Sequence, residues 1–125
     1  METKNNLNLI TSFGDNFIKV DHANKIIGNT WLLNNNIAIP LNNIVKNSND
    51  LTIEILEEFF SNYTLPRDIF LVGCGNKFII PNFELRAFIN KSGFNLEWMI
   101  TKSAIQTWNI LMEDYRDVLA LIFLE

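Results

Sequence analysis

Small and reactive residues follow two apolar segments in the C-terminal half of the chain. Gly73-Cys74-Gly75-Asn76 comes directly after the apolar run at residues 69–72, and Thr101 and Ser103 follow the segment 94–100. The carboxyl ends of strands in open α/β sheets commonly hold ligands, and a helix start favours anions. The spacing therefore predicts a candidate ligand crevice, the strand-end crevice, formed by Gly73, Cys74, Gly75, Asn76, Thr101 and Ser103.

The same residues also have a structural interpretation. The two glycines suit a tight turn, and the third glycine that opens the helix of a dinucleotide-binding motif is missing. Thr101 and Ser103 can cap the helix that follows, with Ser103 and Gln106 in capping-box spacing. Cys74 would need a base to act as a nucleophile, and the chain's only histidine is His22. The sequence therefore indicates no catalytic side chain and no cofactor, and it favours a non-catalytic role.

A second group of polar residues lies on the predicted third helix. Asn109, Glu113 and Arg116 are spaced at i, i+4 and i+7, so they share one helix face, with Glu113 and Arg116 close enough to pair. Such a stripe is typical of a solvated surface. It becomes a candidate interaction face if its partners belong to another chain.

Composition narrows the class of protein. The chain has 125 residues, 48% of them hydrophobic, which predicts a single domain over residues 1–125. A net charge of −4 with scattered basic residues excludes a nucleic-acid partner. Cys74 is the only cysteine, which excludes an intrachain disulfide and indicates a cytoplasmic protein, and with one histidine it excludes the usual zinc sites. No run of about 20 apolar residues is present, so we expect a protein that is not membrane-embedded.

The element pattern changes near the middle of the chain. Short alternating apolar runs up to Pro40 predict antiparallel strands, with a tight hairpin turn at Asn35-Asn36. Beyond Pro40 the spacing predicts helices at residues 52–61 and 83–90 and from Ser103 onward, with strands at 68–72, 94–100 and 118–124. In the two later helices, the apolar residues expected to face the core include Phe83 and Tyr115. This C-terminal β-α-β-α-β unit predicts an α/β fold with a mixed sheet.

Several of these residues together resemble a known family. The chain reads Gly73-Cys74-Gly75, Pro81, Gly93, Met99-Ile100-Thr101, Ala104 to Leu111 and Asp114-Tyr115-Arg116. Over residues 69–121 this pattern resembles small single-domain proteins of unknown function, a family that includes the mitochondrial respiratory complex I assembly factor 3 and bacterial members. Four positions depart from the family: Cys74 replaces a threonine, Trp108 a tyrosine, Asp114 a glutamate and Tyr115 a glycine.

The resemblance implies a three-layer sandwich around a mixed central sheet, and a role in assembling a membrane protein complex. Our leading hypothesis is therefore a non-catalytic protein-interaction or assembly-factor-like module whose partner is a protein such as a membrane-complex subunit. The alternative is a small-molecule or anion-binding protein, or an enzyme, that uses the strand-end crevice around Cys74 and Thr101.

Overall fold

A mixed five-stranded sheet positions both candidate regions. The computed structural model describes residues 7–21, 23–41, 45–62 and 69–124. Its elements, in chain order, are strands β1 (Ile10–Phe13), β2 (Phe17–Val20), β3 (Ile26–Ile27), β4 (Thr30–Leu33) and β5 (Ala38–Pro40), helix α1 (Ile53–Asn62), strand β6 (Ile69–Gly73), helix α2 (Phe83–Lys91), strand β7 (Asn95–Met99), helix α3 (Thr101–Glu113) and strand β8 (Val118–Phe123).

The larger sheet has the strand order β5-β4-β8-β6-β7. β6 is parallel to both β7 and β8, as expected for strands joined through α2 and α3, whereas β4 is antiparallel to β5 and β8. β1, β2 and β3 form a separate antiparallel sheet. The predicted mixed sheet with antiparallel N-terminal strands is confirmed.

Two hydrophobic clusters lie on opposite faces of the larger sheet. Residues of α1 and α2 pack with Phe70 and Val72 of β6 on one face. Residues of α3, β1 and β2 pack with Leu71 of β6 on the other face. Because successive side chains of a strand point to opposite faces, β6 and β8 are buried along their whole length. The three-layer sandwich is confirmed.

The hairpin between β4 and β5 is also confirmed. The Asn34 N–H donates to the Ile37 carbonyl at 3.1 Å, and Asn34 Oδ1 accepts from the N–H groups of Asn36 and Ile37 at 2.7 and 3.0 Å. An asparagine side chain that bonds the backbone just ahead of it stabilises a tight turn.

Two predicted core residues are instead exposed. Phe83 is 75% exposed because it occupies the first position of α2, and two residues turn a helix by about 200°, which places it far around the helix from buried Leu85. Tyr115 is 61% exposed because it lies beyond the end of α3. The predicted burial of both residues was wrong. The sequence spacing also predicts that Tyr63 lies on the apolar face of α1, and this residue lies outside the described residues.

Candidate functional site

The end of β6 and the start of α3 meet through Thr101. The Thr101 N–H donates to the Gly75 carbonyl at 2.9 Å, and Thr101 Oγ1 accepts from the Gly75 N–H at 2.9 Å. The hydroxyl hydrogen of Thr101 is donated to the carbonyl of Phe123, the last residue of β8. Buried Thr101 therefore joins the β6 loop to β8 and α3. The predicted helix cap is different: α3 begins at Thr101, its N-cap is Ile100, and no side chain bonds there.

The two glycines of the strand end each have a structural cause. A β-carbon on Gly73 would lie 3.0 Å from Ala104 Cβ and 3.1 Å from Thr101 Cα, closer than atoms normally approach. Glycine at position 73 therefore lets α3 pack directly on β6. Gly75 has a φ of 113°, which side chains other than glycine rarely permit.

Cys74 lies inside the protein. It is 1% exposed, its thiol donates weakly to the Lys77 carbonyl at 3.6 Å, and its N–H donates to the Met99 carbonyl at 2.8 Å. Reactive cysteines are partly exposed, so this environment is that of a structural thiol.

The structure brings together four of the six predicted crevice residues, Gly73, Cys74, Gly75 and Thr101. Asn76 is exposed beyond them, and half-buried Ser103 lies within the first turn of α3 rather than at its cap. The polar groups that would receive an anion, the N–H groups of Gly75 and Thr101, already bond inside the protein. Ligand binding at the crevice stays a prediction.

Asn109, from the candidate interaction face, holds β1 against α3. Its Oδ1 accepts from the Ile10 N–H at 2.8 Å, and its Nδ2 donates to the Ile10 carbonyl at 2.9 Å. The preceding residue of α3, Trp108, donates its indole N–H to the Asn8 carbonyl at 2.7 Å. The side chain of Asn109 is thus satisfied within this chain.

Glu113 follows Asn109 by one turn of α3, whereas Arg116 lies beyond the end of the helix. α3 ends at Glu113, and Tyr115 has a φ of 57°, the left-handed conformation that terminates helices. The N–H of Tyr115 then donates to the Met112 carbonyl, and that of Arg116 to the Leu111 carbonyl, each at 3.0 Å. The predicted place of Arg116 on the same helix face was therefore wrong. A contact of the three residues with a partner stays a prediction.

The loop between β6 and α2, together with the first residue of α2, exposes three large apolar side chains that sequence reasoning missed. Phe78 is 58% exposed, Ile80 is 76% exposed, and Phe83 was described above. We call Phe78, Ile80 and Phe83 the apolar patch. The sequence indicates this patch only by the apolar stretch Phe78 to Pro81, which lacks the residue spacing of a strand or a helix.

Two hydrogen bonds position this loop. The Trp98 indole N–H of β7 donates to the Ile79 carbonyl at 2.6 Å. Asn82 caps α2, because its Oδ1 accepts from the Leu85 N–H at 3.1 Å. A cavity of about 170 Å³ lies beside it, lined in part by Ile80, Leu85 and Trp98. The patch thus projects from a positioned loop.

A larger groove lies between the two sheets. Its volume is about 420 Å³, and its lining includes buried Ile18 and Trp31 together with Asn8 and Asn35. The two amide side chains bond the backbone around the groove. Asn8 Nδ2 donates to two carbonyls of the β4–β5 hairpin. The Asn35 side chain donates to the Arg116 carbonyl and accepts from the Val118 N–H.

Two absences within the described ranges bear on these sites. No group of three or more histidine, cysteine, aspartate or glutamate side chains is placed to hold a metal ion among them. None of the helices in those ranges has the length and apolar character needed to cross a membrane.

Known proteins share this fold. A crystal structure of a Bordetella parapertussis protein has a TM-score of 0.80 at 22% identity and covers 98% of this chain and 100% of its own. The solution structure of a Bordetella pertussis protein, described as an Mth938-like domain, has a TM-score of 0.74 at 20% identity, covering 98% and 89%. A Rhodopseudomonas palustris protein has a TM-score of 0.78 at 22% identity, covering 96% and 85%. No curated protein matches the chain significantly.

The family is established by a sequence match over nearly the whole chain. Residues 10–123 match a family described as "protein of unknown function". The match includes the strand end, α3 and the apolar patch. This chain therefore belongs to the DUF498/DUF598 family of proteins of unknown function.

Proposed function

We propose that this chain is a non-catalytic protein-interaction module that binds another protein through the apolar patch. The observation that carries the proposal is the exposure of three large apolar side chains within the six residues 78–83. Burying each such side chain contributes roughly 1.5 to 3 kcal/mol, and several exposed large apolar residues close together in the sequence are typical of an interaction site. A partner with a complementary apolar surface therefore gains most of its binding energy here.

The attachment of the patch supports the same proposal. The Trp98–Ile79 hydrogen bond and the Asn82 cap hold both ends of the segment. A surface that is already ordered loses less conformational entropy on binding than a flexible loop. The patch is thus prepared for one docking geometry.

The strand-end residues support a non-catalytic role. The Cys74 thiol bonds the Lys77 carbonyl within the loop after β6. The hydrogen-bonding groups of Gly75 and Thr101 join that loop to β8 and α3. Reaction chemistry at these atoms would require breaking contacts that hold the sheet together.

The partner class follows from the resemblance given above. Membership of a family of unknown function leaves the role of this chain open, because fold and family do not determine function. The resemblance to the complex I assembly factor 3 favours an assembly-factor-like role with a membrane-complex subunit as the partner, and the sequence favours the cytoplasm as its location.

The test is affinity purification of the tagged chain from gently solubilised cells of its source. The variant carries Ile80→Ser and Phe83→Ser. The matched control is Ile110→Ser, which removes an apolar side chain that is 65% exposed on α3. We expect the parent chain and the control to recover the same membrane-complex subunit, and the patch variant to lose it. Equal recovery by all three proteins would contradict the proposal.

A further inference from the structure

β7 forms a free edge of the larger sheet. Among the described residues it pairs only with β6. The Cys74 N–H bonds the Met99 carbonyl, so the N–H and C=O groups of Met99 face β6. The backbone groups of a strand residue point to one side and alternate along the chain. Those of Leu96 and Trp98 therefore point away from the sheet. Within the described ranges, no hydrogen bond reaches these four outward groups.

The opposite edge strand, β5, is protected against pairing with a strand of another chain, whereas β7 is not. β5 has three residues and ends in Pro40, which cannot donate a hydrogen bond. β7 has five residues and contains no proline or lysine. Its one charged side chain, Glu97, is exposed on the α3 face.

There is room beside this edge for a further strand. A groove of about 650 Å³ lies between β7 and α3 and is lined in part by Asn95, Glu97, Thr107 and Leu111. Side chains of an added strand that point to the α3 face would enter this groove. Those that point to the other face would extend the surface of half-buried Leu96 and Trp98.

We propose that a second copy of this chain docks here, with its own β7 antiparallel to the first and the two-fold axis at Leu96. The Leu96 N–H then donates to the Leu96 carbonyl of the second copy, and the reverse bond forms by symmetry. On the α3 face, the Asn95 amide of each copy lies opposite the Glu97 carboxylate of the other copy. The two five-stranded sheets become one continuous sheet of ten strands.

The side chains select this register from the neighbouring ones. An axis at Glu97 would place two carboxylates directly opposite each other, which destabilises a strand pair. An axis at Trp98 would place Glu97 opposite Met99 and Asn95 opposite Thr101, which is buried in α3. Only the axis at Leu96 gives each polar side chain of β7 a polar neighbour while using the outward backbone groups.

The first test is sedimentation equilibrium of the parent chain, Leu96→Pro and the matched control Leu96→Ala. Proline at 96 removes an N–H that faces outward, so pairing with β6 is retained. Both variants lose the leucine side chain. We expect the parent to sediment as a dimer of the 14.5 kDa chain. We expect Leu96→Pro to raise the dissociation constant about tenfold or more beyond Leu96→Ala, since two intermolecular hydrogen bonds are lost. A parent that stays monomeric at about 0.5 mM, or a dimer that Leu96→Pro and Leu96→Ala weaken equally, overturns the proposal.

The second test does not depend on the folding of a proline variant. In the proposed register the two Leu96 Cα atoms lie about 5.5 Å apart, within the range that a disulfide bridges. Leu96→Cys should therefore form a covalent dimer under mild oxidation, and Glu97→Cys should do so much more slowly. The buried native Cys74 contributes little background. Faster cross-linking of Glu97→Cys than of Leu96→Cys overturns the register. Both tests concern pairing of identical chains, so they can fail while the apolar patch still binds its partner.

Discussion

Thr101 is a residue where three distant parts of the chain meet. Its hydroxyl contacts the loop after β6 and the last residue of β8, while its backbone begins α3. The sequence predicted a hydroxyl at a helix start, and the simplest role for such a residue is a cap. The actual partner, Phe123, is 22 residues away in the chain, so local spacing carried no sign of it.

Replacing Thr101 with valine should destabilise the fold. The change keeps the shape of the side chain but leaves the Gly75 N–H and the Phe123 carbonyl without their partner. We expect the free energy of unfolding to fall by about 2 to 4 kcal/mol, measured by urea denaturation. Thr101→Ser keeps the hydroxyl and should lose about 1 kcal/mol. Equal losses for valine and serine would show that the hydroxyl has no bonding role.

Tyr115 is a residue whose backbone conformation suits glycine. The family pattern that this sequence resembles has glycine there, and glycine suits a φ of 57°. A left-handed conformation costs an L-residue about 1 to 2 kcal/mol, and the exposed ring of Tyr115 recovers little of it. Tyr115→Gly should therefore raise the free energy of unfolding by about 0.5 to 1 kcal/mol after the greater chain entropy of glycine is counted.

The control for that change is Tyr115→Ala, which removes the ring and keeps the strained conformation. Thermal unfolding of the two variants separates the causes. If alanine stabilises as much as glycine, the ring rather than the backbone is responsible.

At the scale of elements, apolar runs predicted the buried strands well, whereas element ends depended on tertiary contacts. β6 and β8 were recognisable because strands covered on both faces have continuous apolar sequences. The start of α3 was misplaced, since Ile100 caps the helix without a side-chain bond that a sequence pattern would reveal. The contact of α3 with β1 was equally hidden, because Asn109 and Ile10 lie 99 residues apart.

Asn109→Ala should loosen β1 without unfolding α3. The variant leaves the Ile10 N–H and carbonyl without their side-chain partner, at a cost of about 1 to 3 kcal/mol. We expect faster hydrogen exchange at the Ile10 amide, measured by NMR or mass spectrometry. Gln106→Ala, an exposed change on the same helix, is the control. Unchanged protection of Ile10 in Asn109→Ala would mean that β1 is held by other contacts.

At the scale of the whole molecule, the mixed sheet and the layers were predictable. Two strands joined through a helix by short connections tend to lie parallel and close together in one sheet. The separation of β1, β2 and β3 into their own sheet could not be predicted. The alternation of apolar and polar residues identifies a strand but does not say which strand it pairs with. The apolar patch was not predicted either, because the sequence of an apolar stretch in a loop does not show whether its side chains are buried or exposed. Phe83 is the clearest case, assigned to the core by its type and exposed by its place at the start of α2.

Site-specific photo-cross-linking in cells tests the central claim most directly. A benzophenone analogue of phenylalanine replaces Phe83 in one strain and Ile110 in another. The account predicts one discrete product from position 83, heavier than the chain and different in mass from two copies of it, and no such product from position 110. A product from position 110 alone, or the same pattern from both positions, would contradict recognition through the apolar patch.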